Sequence, residues 1–172
     1  MDQSPAAVLK RAFAPVVGPR PRLLVLGSLP GEASLARSQY YAHPQNQFWR
    51  LMARVIGRPI DALPYAERLA ALVEARVALW DVVRSAERQG SLDARIRAHT
   101  AQPLADFVAA LPDLRAVAFN GGAAWRLGSP ALAARAGLEL VRLPSSSPAY
   151  AAIGFEAKAA AWERLRSALE DG

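Results

Sequence analysis

The side chains best suited to chemistry lie in one segment, residues 27–49. Glycines and a proline at its start predict a sharp turn, and two adjacent tyrosines, Tyr40 and Tyr41, come after it. An aromatic ring on such a loop can stack on a planar base, a contact that contributes ~1–3 kcal/mol per base in nucleic-acid-binding proteins. Ordinary packing of half-buried rings, Trp49 included, is the alternative, and the residue pattern by itself favours packing.

Asn46 in the same segment has two competing interpretations. It stands just before a predicted helix, where an asparagine side chain accepts a backbone N–H as an N-cap. Near a bound nucleotide, the same amide could instead hold the edge of the base or orient an attacking water. Spacing alone favours the cap.

A second polar segment lies near the C-terminus, where three serines stand between two prolines in residues 144–148. Their hydroxyl and backbone N–H groups could clamp phosphate oxygens in a stiff loop. A tight connection between two elements is the other explanation. Three consecutive serines exceed what a turn requires, so both interpretations stay open.

Ser28, His43 and Asp81 nominally supply the three groups of a serine hydrolase. The turn around Ser28 lacks the G-x-S-x-G spacing of a nucleophile elbow, and the order of the three residues along the chain differs from that fold. The chain also contains no G-x-G-x-x-G, P-loop or H-E-x-x-H motif. Dinucleotide, nucleoside triphosphate and zinc-protease chemistry therefore have no motif to support them.

The composition is that of a globular protein with a basic surface. The chain has 172 residues, which suits one compact domain, and 52% of them are hydrophobic. A net charge of +6 attracts phosphate polymers, although a general arginine bias would produce the same charge, since Lys10 and Lys158 are the only lysines. The absence of cysteine excludes disulfides and cysteine-bound zinc or iron–sulfur centres. No signal peptide or membrane span is evident, so we expect a cytoplasmic protein.

Four apolar runs predict the strands that position these side chains, at residues 22–27, 76–80, 115–120 and 138–143. Their apolar residues are nearly continuous, which is typical of strands covered on both faces. Helical patterns separate them and predict an α/β fold with a mostly parallel four-stranded sheet between two helix layers. Five helices are predicted. The first begins at Ser4-Pro5, with Val8, Leu9, Ala12 and Phe13 on one side, the second runs from Phe48 to Ile56, and the third follows Pro64 over residues 65–74. The fourth follows Pro103 and faces inward with Leu104, Phe107, Val108 and Leu111, and the fifth contains Phe155, Trp162, Leu165 and Leu169.

Ligands of parallel α/β sheets bind beyond the carboxyl ends of the strands. The residues just past those ends here are 28–31, Asp81, 120–122 and 145–148, and all are small, polar or glycine-rich. We therefore expect the functional site at this edge.

Residues 27–49, ending in His-Pro-x-Asn-x-Phe-Trp, resemble motif 1 of the uracil-DNA glycosylase superfamily. The form Gly-Ser-x-Pro-Gly with Gln-Tyr-Tyr is similar to the hypoxanthine-DNA glycosylase (DNA-deoxyinosine glycosylase) branch. Three further stretches agree with that branch: residues 79–83 leading to Gly90-Ser91-Leu92-Asp93, residues 119–121, and residues 143–149.

This resemblance implies a single three-layer α/β/α domain over residues 1–172 that flips a nucleotide out of double-stranded DNA and hydrolyses its N-glycosidic bond. It implies Asn46 as the catalytic residue. The base pocket is expected to consist of Gly27, Ser28, Leu29, Pro30, Gly31, Tyr40, Tyr41, Phe48, Asp81 and Asn120. The phosphate-binding loop is expected to consist of Ser145, Ser146, Ser147, Pro148, Ala149 and Tyr150. The resemblance also implies that Ala149 or Tyr150 enters the gap that the flipped nucleotide leaves in the duplex.

One departure from the motifs of this superfamily narrows the choice of the base that is removed. Mismatch-specific uracil glycosylases carry a water-activating asparagine where this chain has Leu29, which favours hypoxanthine as the excised base. The motifs contain no lysine, so we expect a monofunctional enzyme without lyase chemistry. We also expect a monomer that needs neither a metal nor an organic cofactor. Three alternatives remain: a uracil- or xanthine-preferring enzyme of the same fold, a non-catalytic module that binds damaged DNA, and a small serine hydrolase that uses Ser28.

Overall fold

The computed structural model describes residues 8–88 and 97–171. A central sheet contains four strands, and every neighbouring pair is parallel, which confirms the predicted α/β class. In spatial order these strands are β3 (Val77–Asp81), β2 (Leu23–Gly27), β6 (Ala116–Asn120) and β7 (Glu139–Leu143).

Helices cover both faces of this sheet because successive strand residues point to opposite sides. Leu23 and Val25 on β2 pack into one core cluster, whereas Leu24 and Leu26 pack into the other. All residues of β2, β3 and β6 are buried, as their apolar runs predict. The result is the expected three-layer α/β/α arrangement.

The described part of the chain contains seven α-helices. Side chains of α2, α3, α6 and α7 fill one core cluster, and those of α4 and α5 fill the other. None of these helices is long and apolar enough to cross a membrane. The helices are α1 (Glu32–Arg37), α2 (Phe48–Ile56), α3 (Tyr65–Glu74), α4 (Leu104–Ala109), α5 (Gly122–Gly128), α6 (Phe155–Trp162) and α7 (Arg166–Leu169), with 3-10 turns at Ile60–Ala62, Ser129–Ala131 and Glu163–Leu165.

The predicted helices α2, α3 and α4 are confirmed, and the last predicted helix is interrupted by the 3-10 turn between α6 and α7. The short helices α1 and α5 were not predicted. Each has only six or seven residues, which is too few to show a helical period.

The helix predicted near the N-terminus is wrong. Residues Val8–Arg11 form strand β1, which pairs antiparallel with β4 (Val83–Arg88), and β4 pairs with β5 (Arg97–Ala101). The spacing of apolar residues fits a helix, but the edge of β4 offers unpaired backbone groups that this segment satisfies. Leu9 is 52% exposed instead of facing a core. The predicted start at Ser4-Pro5 and the stretch Gly90–Asp93 lie outside the described residues.

Candidate active site

A cavity of about 450 Å³ opens at the carboxyl edge of the parallel sheet. It joins residues from the ends of all four strands, as the polar character of those ends predicts. Phe48 and Tyr150 are the two predicted site residues that do not line it. The lining comprises Gly27, Ser28, Leu29, Pro30, Gly31, Tyr40, Tyr41, Asp81 and Asn120 from the predicted base pocket, Asn46, Ser145, Ser146, Ser147, Pro148 and Ala149, together with Glu32, Ala33, Ser34 and His43, which had not been predicted.

Gly27 allows two polar groups to meet at the floor of the cavity. A Cβ atom at this position would lie 2.7 Å from Asp81 Oδ1 and 2.7 Å from Tyr41 Oη. Gly27 and Asp81 are register partners at the ends of β2 and β3. Glycine is therefore required for close approach of the carboxylate and the phenol, and Asp81 is buried at this point.

A hydrogen-bond network connects three distant segments at the cavity wall. Ser146 Oγ donates to Asn46 Oδ1 at 2.8 Å and accepts from Asn120 Nδ2 at 2.9 Å. Asn120 Oδ1 in turn accepts the backbone N–H of Ser146 at 2.9 Å. The second N–H of Asn120 Nδ2 donates to Tyr41 Oη at 3.2 Å. Both N–H groups of the Asn120 side chain and one lone pair of its oxygen are thereby occupied.

The amide of Asn46 has a defined orientation. The backbone N–H of Phe48 donates to Asn46 Oδ1 at 3.0 Å, and a backbone N–H cannot accept, so the oxygen must face it. The hydroxyl of Ser146 occupies the second lone pair of the same oxygen. Within the described residues Asn46 Nδ2 has no hydrogen-bond partner. Gln47 occupies the N-cap position of α2, but the side chain of Asn46 accepts the N–H of Phe48, the first residue of the helix. Asn46 therefore both supports the helix and lines the cavity.

Tyr41 is held in an unusual backbone conformation. Its φ of 53° lies in the left-handed region, which is costly for a large side chain and is common at functional sites. The next residue, Ala42, donates its N–H to Ser34 Oγ at 3.0 Å. One face of the Tyr41 ring stacks on Phe48, with centroids 3.9 Å apart and planes 17° apart. Phe48 is fully buried and therefore supports Tyr41 from below instead of lining the cavity.

Tyr40 and Trp49 have the contacts of packing residues. Tyr40 Oη donates to the carbonyl of Ala14 at 2.8 Å, and Trp49 Nε1 donates to the carbonyl of Tyr40 at 3.2 Å. Burial, reinforced by the Asp81 carboxylate, raises the pKa of the Tyr40 phenol far above its ordinary value. Tyr40 therefore stays neutral and contributes an apolar wall to the cavity.

Residues 145–149, called here the serine loop, are held by local hydrogen bonds between serine side chains and backbone N–H groups. Ser145 Oγ accepts the N–H of Ser147 at 3.1 Å, and Ser147 Oγ accepts the N–H of Ala149 at 3.2 Å. Ser146 is the buried member that joins the network above. Gly121 follows β6 and lies against the start of this loop; its φ is 96°, and a Cβ there would lie 3.0 Å from the Cβ of Ser145. Both the backbone angle and this contact require glycine.

Lys158 is a further residue that the sequence patterns did not identify. Its Nζ donates to the carbonyl of Tyr150 at 2.7 Å, just beyond the serine loop. Burial lowers the pKa of its ammonium group. The signal in the sequence was slight: Lys158 is one of two lysines in a chain rich in arginine.

The geometry of His43 argues against a serine-hydrolase triad. Its Nδ1 accepts the backbone N–H of Gln45 at 3.1 Å. In a triad this nitrogen must instead carry a proton and donate it to the carboxylate. Ser28, His43 and Asp81 line the same cavity, but the imidazole is in the wrong tautomer for relay to Asp81.

Leu29 contributes an apolar surface to the cavity. Its side chain is buried and packs with Val83 and Ala86 of β4. A leucine side chain cannot hydrogen-bond a water molecule, so position 29 supplies no group for water activation.

Comparison with known proteins agrees with this architecture. Residues 14–166 match the family model of the uracil DNA glycosylase superfamily. A hypoxanthine DNA glycosylase of Methanosarcina acetivorans is 37% identical over 83% of this chain and 89% of that protein, and one of Methanosarcina barkeri is 38% identical over 65% and 71%. A solution NMR structure from Methanosarcina acetivorans, described as a candidate uracil DNA glycosylase, superposes with a TM-score of 0.84 at 34% identity, covering 95% of this chain and all of that one. The chain belongs to the uracil DNA glycosylase superfamily.

Proposed function

We propose that this protein is a monofunctional DNA glycosylase that removes hypoxanthine from double-stranded DNA. The observation that carries the proposal is the oriented amide of Asn46, whose oxygen is saturated and whose Nδ2 remains available as a donor at the cavity. The Methanosarcina relatives named hypoxanthine DNA glycosylase support the choice of base.

The reaction breaks the bond between C1′ of the sugar and N9 of the base. The electron pair leaves with the base, and the sugar passes through an oxocarbenium-like state whose positive charge the DNA phosphates help to stabilise. Water then forms the new bond at C1′ and loses a proton, while the base is protonated and leaves as hypoxanthine. An abasic site remains in the DNA.

The hydrogen bonds of Asn46 decide which of its two conceivable roles is favoured. To activate water, the amide oxygen would have to accept a water proton, but Phe48 N–H and Ser146 Oγ–H already occupy both lone pairs. The Nδ2 group can donate, and a donor stabilises the negative charge that develops on the departing base. Removing one such preorganised donor typically costs about 10²–10³-fold in rate.

Asp81 is suited to distinguish a deaminated base from its parent. Adenine N1 is an acceptor, whereas N1 of hypoxanthine carries a hydrogen and donates. A buried carboxylate accepts that N–H and repels the adenine lone pair. Position 81 lies at the cavity floor, at the end of β3, where a base edge would arrive. We propose that Asp81 reads this N–H.

The ring of Tyr41 offers a stacking platform. Phe48 covers one of its faces, and the hydroxyl is tied to Asn120, so the ring cannot swing freely. We propose that the flipped base stacks on the opposite face. A rigid platform loses little entropy when the base arrives.

Single-turnover incubation tests the proposal directly. Duplexes that carry one deoxyinosine, deoxyuridine or deoxyxanthosine are incubated with excess protein, and alkali then cleaves the strand at abasic sites. We expect cleavage chiefly at deoxyinosine. Preference for deoxyuridine or deoxyxanthosine would keep the enzyme class and change the base. Tight binding of all three duplexes without cleavage would instead indicate a binding module.

Several expectations from composition and motif stay predictions. They are a cytoplasmic location, a monomeric state, a single domain over residues 1–172 and activity without a metal. Cleavage in the presence of excess chelator tests activity without a metal, and light scattering of the purified protein tests the monomeric state.

A further inference from the structure

Lys158 is buried to an extent that is rare for a lysine. It lies on the first turn of α6 and is 2% exposed. Among residues 8–88 and 97–171, no carboxylate lies within ion-pair distance of its Nζ. A buried ammonium group without an anionic partner is costly, so favourable contacts elsewhere must offset that cost.

Those contacts are made with Tyr150. Lys158 Nζ donates to the carbonyl oxygen of Tyr150 at 2.7 Å and lies 5.3 Å from the centroid of its ring. The first contact fixes the backbone, and the second attracts the ring through its negative face. One cation therefore restrains both parts of the same residue.

Tyr150 stands at the rim of the cavity with its ring partly free. It directly follows the lining residue Ala149, and its backbone N–H donates to the carbonyl of Ser147 at 3.1 Å. The residue is nevertheless 41% exposed, and few large hydrophobic residues of the described chain are exposed to this degree. An aromatic ring presented beside a base pocket can stack against neighbouring base pairs.

We propose that Lys158 is a positioning residue that holds Tyr150 at the cavity rim, in the geometry in which its ring enters the gap left by a flipped nucleotide. This inference rests on the proposed glycosylase function. A ring held in place before DNA binds loses less freedom when it inserts, so the flipped state becomes more populated. The bond-breaking step at the sugar is not affected, because Lys158 does not line the cavity.

Comparison of duplex and single-stranded substrates separates an effect on nucleotide flipping from an effect on bond breaking. A single strand has no gap to fill and no pair to break, so it needs the cavity but not the inserted ring. We expect Lys158→Met to lower single-turnover cleavage of a deoxyinosine duplex about 10- to 100-fold, the range for misplaced groups that support catalysis. Cleavage of the single-stranded oligonucleotide should change less than threefold. Lys158→Arg, which keeps the cation and N–H donors, should restore part of the duplex rate.

Three further measurements test the inference, and the first of them does not depend on the folding of Lys158→Met. Tyr150→Ala alters a partly exposed side chain and should lower the ratio of duplex to single-strand cleavage by a similar factor. The double variant should lose no more than either single variant, because both act through one ring. Fluorescence of 2-aminopurine placed beside deoxyinosine should show less flipping in each variant.

Equal losses on duplex and single strand in Lys158→Met would overturn the inference, as would a normal ratio in Tyr150→Ala or additive losses in the double variant. These failures differ from failure of the proposed function. In that case the unmodified protein would not cleave deoxyinosine in either substrate.

Discussion

The side chains of Asn46 and Ser146 are joined by a 2.8 Å hydrogen bond across 100 residues of sequence. This bond orients the amide before any DNA is present, since Ser146 is itself fixed by Asn120. Preorganised donors need no rearrangement at the moment of reaction, which is the main reason that enzymes use them. The network thus connects loop packing directly to the proposed chemistry.

The first prediction distinguishes a donor from a water-activating role for Asn46. Asn46→Asp keeps an oxygen that can accept from Phe48 N–H and Ser146 Oγ–H, but it replaces the Nδ2 donor with a second oxygen. We expect single-turnover cleavage to fall about 10²–10³-fold, as far as in Asn46→Ala. Circular dichroism should show a folded protein in both cases. Near-normal activity of the aspartate variant would point to water activation instead.

A second prediction concerns base discrimination by Asp81. Free hypoxanthine should inhibit the unmodified enzyme, and free adenine should not, because adenine N1 turns a lone pair toward the carboxylate. Asp81→Asn introduces an N–H donor that can face that lone pair. The variant should therefore lose most of the difference between the two inhibitors and cleave deoxyinosine about tenfold more slowly, an effect of ~1.4 kcal/mol. Equal inhibition of the unmodified enzyme by both bases would contradict this role.

Gly27 provides a steric test of the cavity floor. In Gly27→Ala the new methyl group would lie 2.7 Å from both Asp81 Oδ1 and Tyr41 Oη, so both side chains, or the backbone between them, must shift. We expect a stability loss of ~1–3 kcal/mol, typical of overpacking, and at least a tenfold loss of cleavage. Gly154→Ala is the matched control, since no atom beyond its chain neighbours lies within 4 Å of its Cβ position. The two variants should differ clearly in thermal unfolding and in rate.

Substitutions at Tyr41 separate its ring from its hydroxyl. Tyr41→Phe keeps the stacking surface on Phe48 and loses the bond from Asn120, whereas Tyr41→Ala loses both. We expect the alanine variant to bind a deoxyinosine duplex about 5- to 150-fold more weakly, corresponding to ~1–3 kcal/mol of stacking. The phenylalanine variant should retain most of the affinity. If both variants bind like the unmodified protein in an anisotropy titration, the base does not stack on this ring.

The basic composition leads to a prediction about salt. Phosphate contacts by arginine release counterions, so the logarithm of the binding constant should fall linearly with the logarithm of salt concentration. Titrations of one duplex between 50 and 200 mM salt, roughly the interval over which such losses are large, measure the slope. A slope near zero would show that phosphate contacts contribute little to binding.

Local features of the sequence sufficed to predict the four strands of the central sheet and the longer helices that pack on it. The apolar runs that became β2, β3 and β6 needed no tertiary information, because strands buried on both faces carry a continuous apolar signal. The same reasoning placed polar residues at the carboxyl edge, where the cavity lies. Helix α2 likewise begins and ends where its period and Gly57 predict.

Other features depended on which backbone edges and side chains the fold brings together. The spacing of residues 8–13 fits a helix, yet the free edge of β4 converts Val8–Arg11 to a strand. The hydrogen bonds of Asn46, and the contact between Lys158 and Tyr150, join residues whose separation in sequence carries no period. Periodicity reports how one segment faces a core, whereas the orientation of an amide or a buried ammonium group depends on partners from other segments. For this protein, sequence alone determined the central parallel sheet and the edge at which the cavity lies, and only tertiary structure decided the pairing of the N-terminal strand and the orientation of the polar groups in the cavity.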